Sequence, residues 1–221
     1  MTLVAKDVAQ YLKDNPEFFN QHADALAQIN IPDPHGGRAV SISERQIGTL
    51  RDQLRRLETK LTELIRFGEE NDVLSGKTHR LSVAVAGASN ITTVLRLLYS
   101  HLGGDFDIPH VAVRLWGIDN VGGDPNAAEF TPMSKEARSF AETISRPYCG
   151  AGGGPDVMSW FGEGGAHVRS VALVSLRRNG ACFGLLALGS EDVQRFFPEM
   201  GTLYLERIGE VAAAALDRSF G

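Results

Sequence analysis

Apolar residues recur at helical intervals through the first part of the chain. Val4, Val8, Tyr11 and Leu12 fall on one helical face over residues 4–14. Asn15-Pro16-Glu17 then has the form of a helix start, with Asn15 as N-cap, Pro16 in the first helical position and Glu17 beside the positive helix end. Phe18, Phe19, Leu26 and Ile29 would bury that short helical region. Ile31-Pro32-Asp33-Pro34-His35-Gly36-Gly37 predicts a loop, because prolines and glycines break a regular element.

The most regular pattern comes next. Ile47, Leu50, Leu54, Leu57, Leu61 and Leu64 are spaced 3, 4, 3, 4, 3, the a/d repeat of a coiled coil. Arg51, Asp52, Arg55, Arg56, Glu58 and Lys60 fill the outer positions. Ser43 with Gln46 fits a capping box, Ser41 with Glu44 a second one, and Ile42 with Ile47 a hydrophobic staple. Gly68 and Asn71 occupy the next a and d positions, so the seam stops near Phe67. A 3.5-residue spacing with leucine at d predicts self-association through these six residues rather than packing on the chain's own domain.

Leu74, Thr78, Leu81 and Val85 continue a helical stripe. Ser89 or Asn90 can cap a further helix carrying Val94, Leu95, Leu98 and Leu102, which Gly103-Gly104 would end. Val111, Val113 and Leu115 alternate with Ala112, Arg114 and Trp116, as in a strand. Residues 118–126 read as a loop, Glu129–Thr131 as a short strand, and Ser134 as the cap of a helix through Ala137, Phe140, Ala141 and Ile144. Seven glycines in the sixteen residues 150–165 predict a long irregular loop, with a small strand near Met158–Phe161. Residues 168–176 and Ala181–Leu188 read as strands joined by an Asn179-Gly180 hairpin turn, and Leu205, Ile208, Ala212 and Leu216 as one face of a closing helix.

This order predicts an α+β fold, a mainly antiparallel sheet flanked by helices, behind an N-terminal helical region. It divides into short helices and a loop over residues 1–40, a long coiled-coil-type helix over 41–70, and a sheet-containing domain over 71–221. Composition narrows the function classes. The 221 residues are 43% hydrophobic and 22% charged, as in ordinary globular proteins, with a net charge of −5 and so no basic field to attract nucleic acid. Arg51, Arg55 and Arg56 form a local basic strip, but Asp52 and Glu58 interrupt it. No apolar run is long enough for a membrane span, no signal peptide is visible, and two cysteines make no disulfide framework. The expectation is a cytoplasmic protein with reduced thiols.

Phe183-Gly184-Leu185-Leu186-Ala187-Leu188-Gly189-Ser190, then Glu191-Asp192, Arg195-Phe196 and a helix with Leu203, Leu205, Ile208 and Val211, resemble the end of a GAF domain, a ligand-binding or regulatory fold related to PAS. Tyr11-Leu12, Asn15–Phe19, Ile31-Pro32, Val40-Ser41, Glu44-Arg45-Gln46, the leucine heptad, Asn71-Asp72 and Arg146-Pro147-Tyr148-Cys149-Gly150 together resemble the bacterial domain-of-unknown-function family 484 over nearly the whole chain. The resemblance implies a GAF-like domain behind a helical region and no assigned activity. The Asn-Lys-Phe-Asp-Glu motif of cyclic-nucleotide GAF domains is not present.

Candidate chemistry is sparse. Arg114 alternates with Val113 and Leu115, so it faces the ligand side of a GAF-like sheet if they face the helices, and a pocket arginine there would select an anion. Tyr148 and Cys149 border the glycine-rich segment, which reads as a lid rather than a dinucleotide loop because its spacing is wrong for GxGxxG. Arg146 would favour a Cys149 thiolate, whereas Cys182 lies in a strand as a small hydrophobe. Asp105, Asp107 and His110 come nearest to a metal set and read as a polar turn, and no G-x-S-x-G elbow or catalytic triad spacing occurs. The chain is therefore expected to be a non-enzymatic, homodimeric sensory or regulatory module, taking a small ligand through Arg114, Tyr148 and Cys149 and acting on an unidentified protein partner. No metal is expected, and no cofactor can be named. The alternatives are a structural adaptor with no ligand and a thiol-dependent reductase using Cys149.

Overall fold

The computed structural model describes residues 4–28, 30–31, 40–118, 124–154 and 156–220. The chain divides into two compact units, Met1–Gly68 and Glu69–Gly221.

In the first unit, α1 (Ala5–Asp14) carries Val4, Val8 and Tyr11 largely exposed. Asn15 closes α1 instead of opening the next helix. Its backbone N–H and its side-chain amide both donate to the Tyr11 carbonyl, satisfying one of the helix's orphan acceptors. Glu17 then precedes the four-residue α2 (Phe18–Gln21), where Phe18 packs edge-on against Tyr11 and Phe19. After α3 (Ala23–Gln28), β1 (Asn30–Ile31) pairs antiparallel with β2 (Val40–Ser41), so Ile31 belongs to a short ribbon rather than to the loop expected there. The expected loop from Pro32, the burial of Leu26 and Ile29, and the side chains of Ser41, Ser43 and Glu44 in the candidate capping boxes lie outside the described residues. The backbone of α4 (Ile42–Ala86) begins at Ile42 and runs unbroken past the end of the heptad seam.

The second unit is built on a four-stranded antiparallel sheet of order β3-β6-β5-β4. These strands are β3 (His110–Leu115), β4 (Tyr148–Gly150), β5 (Ser170–Arg178) and β6 (Ala181–Ser190). Asn179 and Gly180 both take positive φ, 50° and 85°, the requirement of the tight turn joining β5 to β6. Arg177 pairs with Cys182 but Leu176 pairs with Gly184, leaving Phe183 as an extra residue in β6. The bulge lets Phe183 join the same buried face as Leu186 and Leu188 despite the odd spacing.

That face packs on the last turns of α4 and on α5 (Ile91–Ser100) and α8 (Leu203–Arg218). Leu81, Val94, Leu98, Leu186, Leu188 and Leu216 are completely buried there. Asn90 caps α5 by accepting from the Thr93 N–H, and Ser134 caps α6 (Lys135–Thr143) by accepting from the Ala137 N–H, as the sequence predicts. The other face buries Ala112, Leu173, Leu185 and Ala187 under Ala141 and Ile144 and under Val157 of α7 (Val157–Trp160).

Four local expectations fail. Gly103-Gly104 do not end the helix; they lie inside a π-helical turn, His101–Asp105, whose His101 Nδ1 and Asp105 Oδ2 are 2.6 Å apart. Residues Ala128–Phe130 form a 3₁₀ turn, not a strand. The segment near Met158–Phe161 is helical. Tyr148–Gly150, read as the margin of a loop, is strand β4, held by its ladder to β5.

Candidate functional site

Two features of the described residues go beyond core packing. The first is the seam on α4. Within the chain its six apolar residues are all exposed, from 48% at Ile47 to 67% at Leu57, as are Ile65 and Phe67 beside it. Exposed apolar stripes of this length, outside the core of their own chain, are the form that interaction surfaces take in general.

The second lies on the sheet. Val113 and Leu115 face the helices, so alternation sends His110, Ala112, Arg114 and Trp116 to the opposite face. Arg114 is half-buried. Its guanidinium lies 5.3 Å from the Trp160 ring centroid, and its Nη1 donates to the Val113 carbonyl at 2.9 Å. No carboxylate among the described residues lies within 4 Å of it. Burial lowers its pKa, and the electrostatic pull of Tyr99 and Glu129 raises it back in part. Tyr99 itself donates to Glu129 at 2.8 Å, and burial followed by that bond pushes its pKa well above the ordinary phenol range. Arg114 is thus a partly desolvated, permanently charged group stacked on an indole, an environment suited to a planar anion.

Two further groups share this face, His110 on β3 and Trp116 just after it, and sequence reasoning assigns neither a site role. Trp116 carries the Arg138 guanidinium 5.5 Å above its ring. His110 Nε2 is buried with no hydrogen-bond partner among the described residues, 3.9 Å from Glu191 Oε1, and its ring is 5.9 Å from that of Phe161. The parity that placed Arg114 also places His110 and Trp116. Nothing local could bring Trp160 to Arg114 from 46 positions away.

Tyr148 and Cys149 do not join Arg114. They sit on β4, at the far edge of the sheet, three strand spacings or about 14 Å away. They also face opposite ways. Tyr148 packs with Phe140 on the outer face, its hydroxyl donating to the Ala151 carbonyl at 3.2 Å. Cys149 is 7% exposed in the helix-side core, where burial pushes its thiol up to about 11, against the thiolate that Arg146 was expected to favour. Cys182 is likewise raised by burial. The glycine segment packs closely: a Cβ on Gly154, whose φ is +82°, would stand 3.0 Å from the Phe140 ring.

A cavity of about 410 Å³ opens where Pro147 halts the β4 ladder, between Ile144–Pro147, the second half of β5 and α8. Ser175 and Arg177 line it, Ser175 donating to the carbonyls of Ala141 and Ile144 and Arg177 to those of Glu142, Ile144 and Gly180. No group of three His, Cys, Asp or Glu able to hold a metal occurs among the described residues, and none of their helices is long and apolar enough to cross a membrane.

Comparison with known proteins finds a family and relatives by sequence, and neighbours by structure. Residues 1–220 match the family described as "Protein of unknown function, DUF484". The uncharacterized protein YigA of Salmonella typhimurium is 25% identical over 215 residues, 96% of this chain and 90% of its own length. YigA of Escherichia coli is 26% identical over the same shares. Among solved structures, the free methionine-R-sulfoxide reductase of Neisseria meningitidis, in complex with its substrate, is similar with a TM-score of 0.47 at 17% identity, over 66% of this chain and 89% of that one. The nlh2 GAF domain of A. aeolicus in an inactive state gives 0.41 at 12% identity, over 66% and 97%.

Proposed function

The chain belongs to the DUF484 family, and from that premise we propose a non-enzymatic regulatory module in which α4 pairs two copies and the sheet domain takes a small anion at Arg114. The observation that carries the reading is the Arg114 guanidinium, half-buried on Trp160 without a carboxylate partner among the described residues. A buried cation is stabilised by an anion that can accept two parallel hydrogen bonds. The exposed seam supports the dimer, because its spacing suits a second helix. Occupancy at Arg114 would then reach a protein partner.

Native mass spectrometry of the full chain tests both parts together. The expected result is a mass of two chains plus a small species released on denaturation. Small carboxylates and phosphates should also raise the melting temperature of the wild type, by an amount corresponding to about 2.7 kcal/mol at 100-fold excess over Kd, and leave Arg114→Ala unmoved. Equal shifts in both proteins would overturn the site.

A second reading is a structural adaptor without a ligand. It is favoured by Val157, Phe140, Trp160 and Phe161, which lie over Ala112, Leu185 and Ala187 and fill the face from within the chain. A bare dimer unmoved by every anion supports it. The reductase reading finds no support in the burial of Cys149.

A further inference from the structure

Resting on the dimeric reading above, we infer that the second copy lies antiparallel along residues 47–64, with Arg51 of each chain beside Glu58 of the other. The apolar layers alone do not choose an orientation. In a parallel pair each seam residue meets itself; in an antiparallel pair Ile47 meets Leu64, Leu50 meets Leu61 and Leu54 meets Leu57, so all six stay covered either way.

The flanks do choose. Arg51 and Glu58 each follow a d position, and Gln53 and Lys60 each precede an a position. In a parallel pair the residue before a meets the residue after d on the other chain. The flanking contacts would then be Gln46 with Arg51, Gln53 with Glu58 and Lys60 with Ile65, with no opposite charges among them. In an antiparallel pair, like flank meets like flank. Arg51 then meets Glu58 twice, once at each end of the two-fold axis, and Gln53 meets Lys60 twice. These charges are free to do so. Arg51 and Glu58 stand two turns apart on one helix, roughly 10 Å along its axis, too far to pair with each other. Neither forms an ion pair within the chain among the described residues, whereas the neighbouring Arg55 is engaged with Asp52 at 3.7 Å.

Charge reversal tests the orientation. Sedimentation equilibrium of the full chain at low salt would compare wild type, Arg51→Glu, Glu58→Arg, the double variant, and an equimolar mixture of the two single variants. Both positions are exposed, and unchanged circular dichroism verifies each fold. Each single variant sets like charges against each other at both ends and should weaken the dimer about tenfold. The double variant and the mixture should both return to within about threefold of wild type, because opposite charges face each other again. A wild-type dimer whose single variants are not rescued by either route overturns the antiparallel arrangement and leaves the dimeric reading standing. A monomeric wild type overturns the dimeric reading itself.

Discussion

Arg218, in the last turn of α8, donates to the carbonyls of Val85 at 2.8 Å and Ala88 at 3.2 Å, 133 and 130 positions earlier in the chain. Those carbonyls belong to the end of α4 and the turn after it, where the helix ladder leaves acceptors without intrahelical donors. One guanidinium thereby closes α4 and anchors α8. Removing it leaves the Val85 carbonyl with only the bond from the Ala88 N–H and takes the guanidinium donor from the part-buried Ala88 carbonyl. Arg218→Ala should therefore lower unfolding stability by about 1.5–3 kcal/mol, the range for hydrogen bonds to a charged group. Urea denaturation measures it, and a loss below about 0.5 kcal/mol would show that water replaces the donor without cost.

The seam makes a separate prediction. Leu54 and Leu61 are both 58% exposed within the chain, so a charge at either position disturbs nothing inside it. Leu54→Lys with Leu61→Lys should leave the melting transition of the sheet-containing unit in place and convert dimers to monomers by light scattering. An unchanged mass would remove the seam from the assembly.

At Gly209, α8 lies close enough to β5 to leave no room for a side chain. A Cβ at this position would collide with Val174 Cγ1. Gly209→Ala should cost about 1–3 kcal/mol through overpacking, despite alanine's better helix propensity. Adding Val174→Ala should recover part of that loss, so the double variant is more stable than the sum of the two singles. Additive losses would mean that the helix shifts rather than clashes.

Cys149 predicts a pH dependence. Its thiol moves from an ordinary value near 9.0 up to about 11 because burial disfavours the thiolate. For an acid whose folded pKa is raised, the folded state holds the proton more tightly. Its contribution is complete below pH 9 and is lost as pH rises through 11. Cys149→Ala should flatten stability against pH across that window. In the native protein at pH 8, Cys149 should react with iodoacetamide at least about tenfold more slowly than a free thiol. Rapid modification would contradict the burial.

The sequence carries the parts of this fold whose determinants are local. Asn179-Gly180 supplies two positive-φ residues at neighbouring positions, and the hairpin forms there. Asn90 and Ser134 are capping residues in front of apolar periodicity, and both helices start where expected. What the sequence hides is decided at a distance. Tyr148–Gly150 has no strand pattern of its own and is a strand because β5 pairs with it. Met158–Phe161 carries large side chains that suit a strand, but the turn at Asp156, with φ of +67°, leads into a helix. The candidate site divides in the same way. Alternation reveals which face Arg114 takes. The strand order that parts it from Tyr148 and Cys149, and the fold that brings Trp160 to it, are properties of the whole domain.

Proline at position 147 has a consequence for behaviour at high concentration. A sheet with a long open edge is a template on which further chains can stack. Here the β4 edge is three residues long and is preceded by a residue without a backbone N–H, so an incoming strand finds almost nothing to extend. The opposite edge, β3, lies beside the Ala128–Phe130 turn. Strand β6 is thus enclosed between β3 and β5, and the short β4 edge gives fibril-like growth from strand to strand little to begin on.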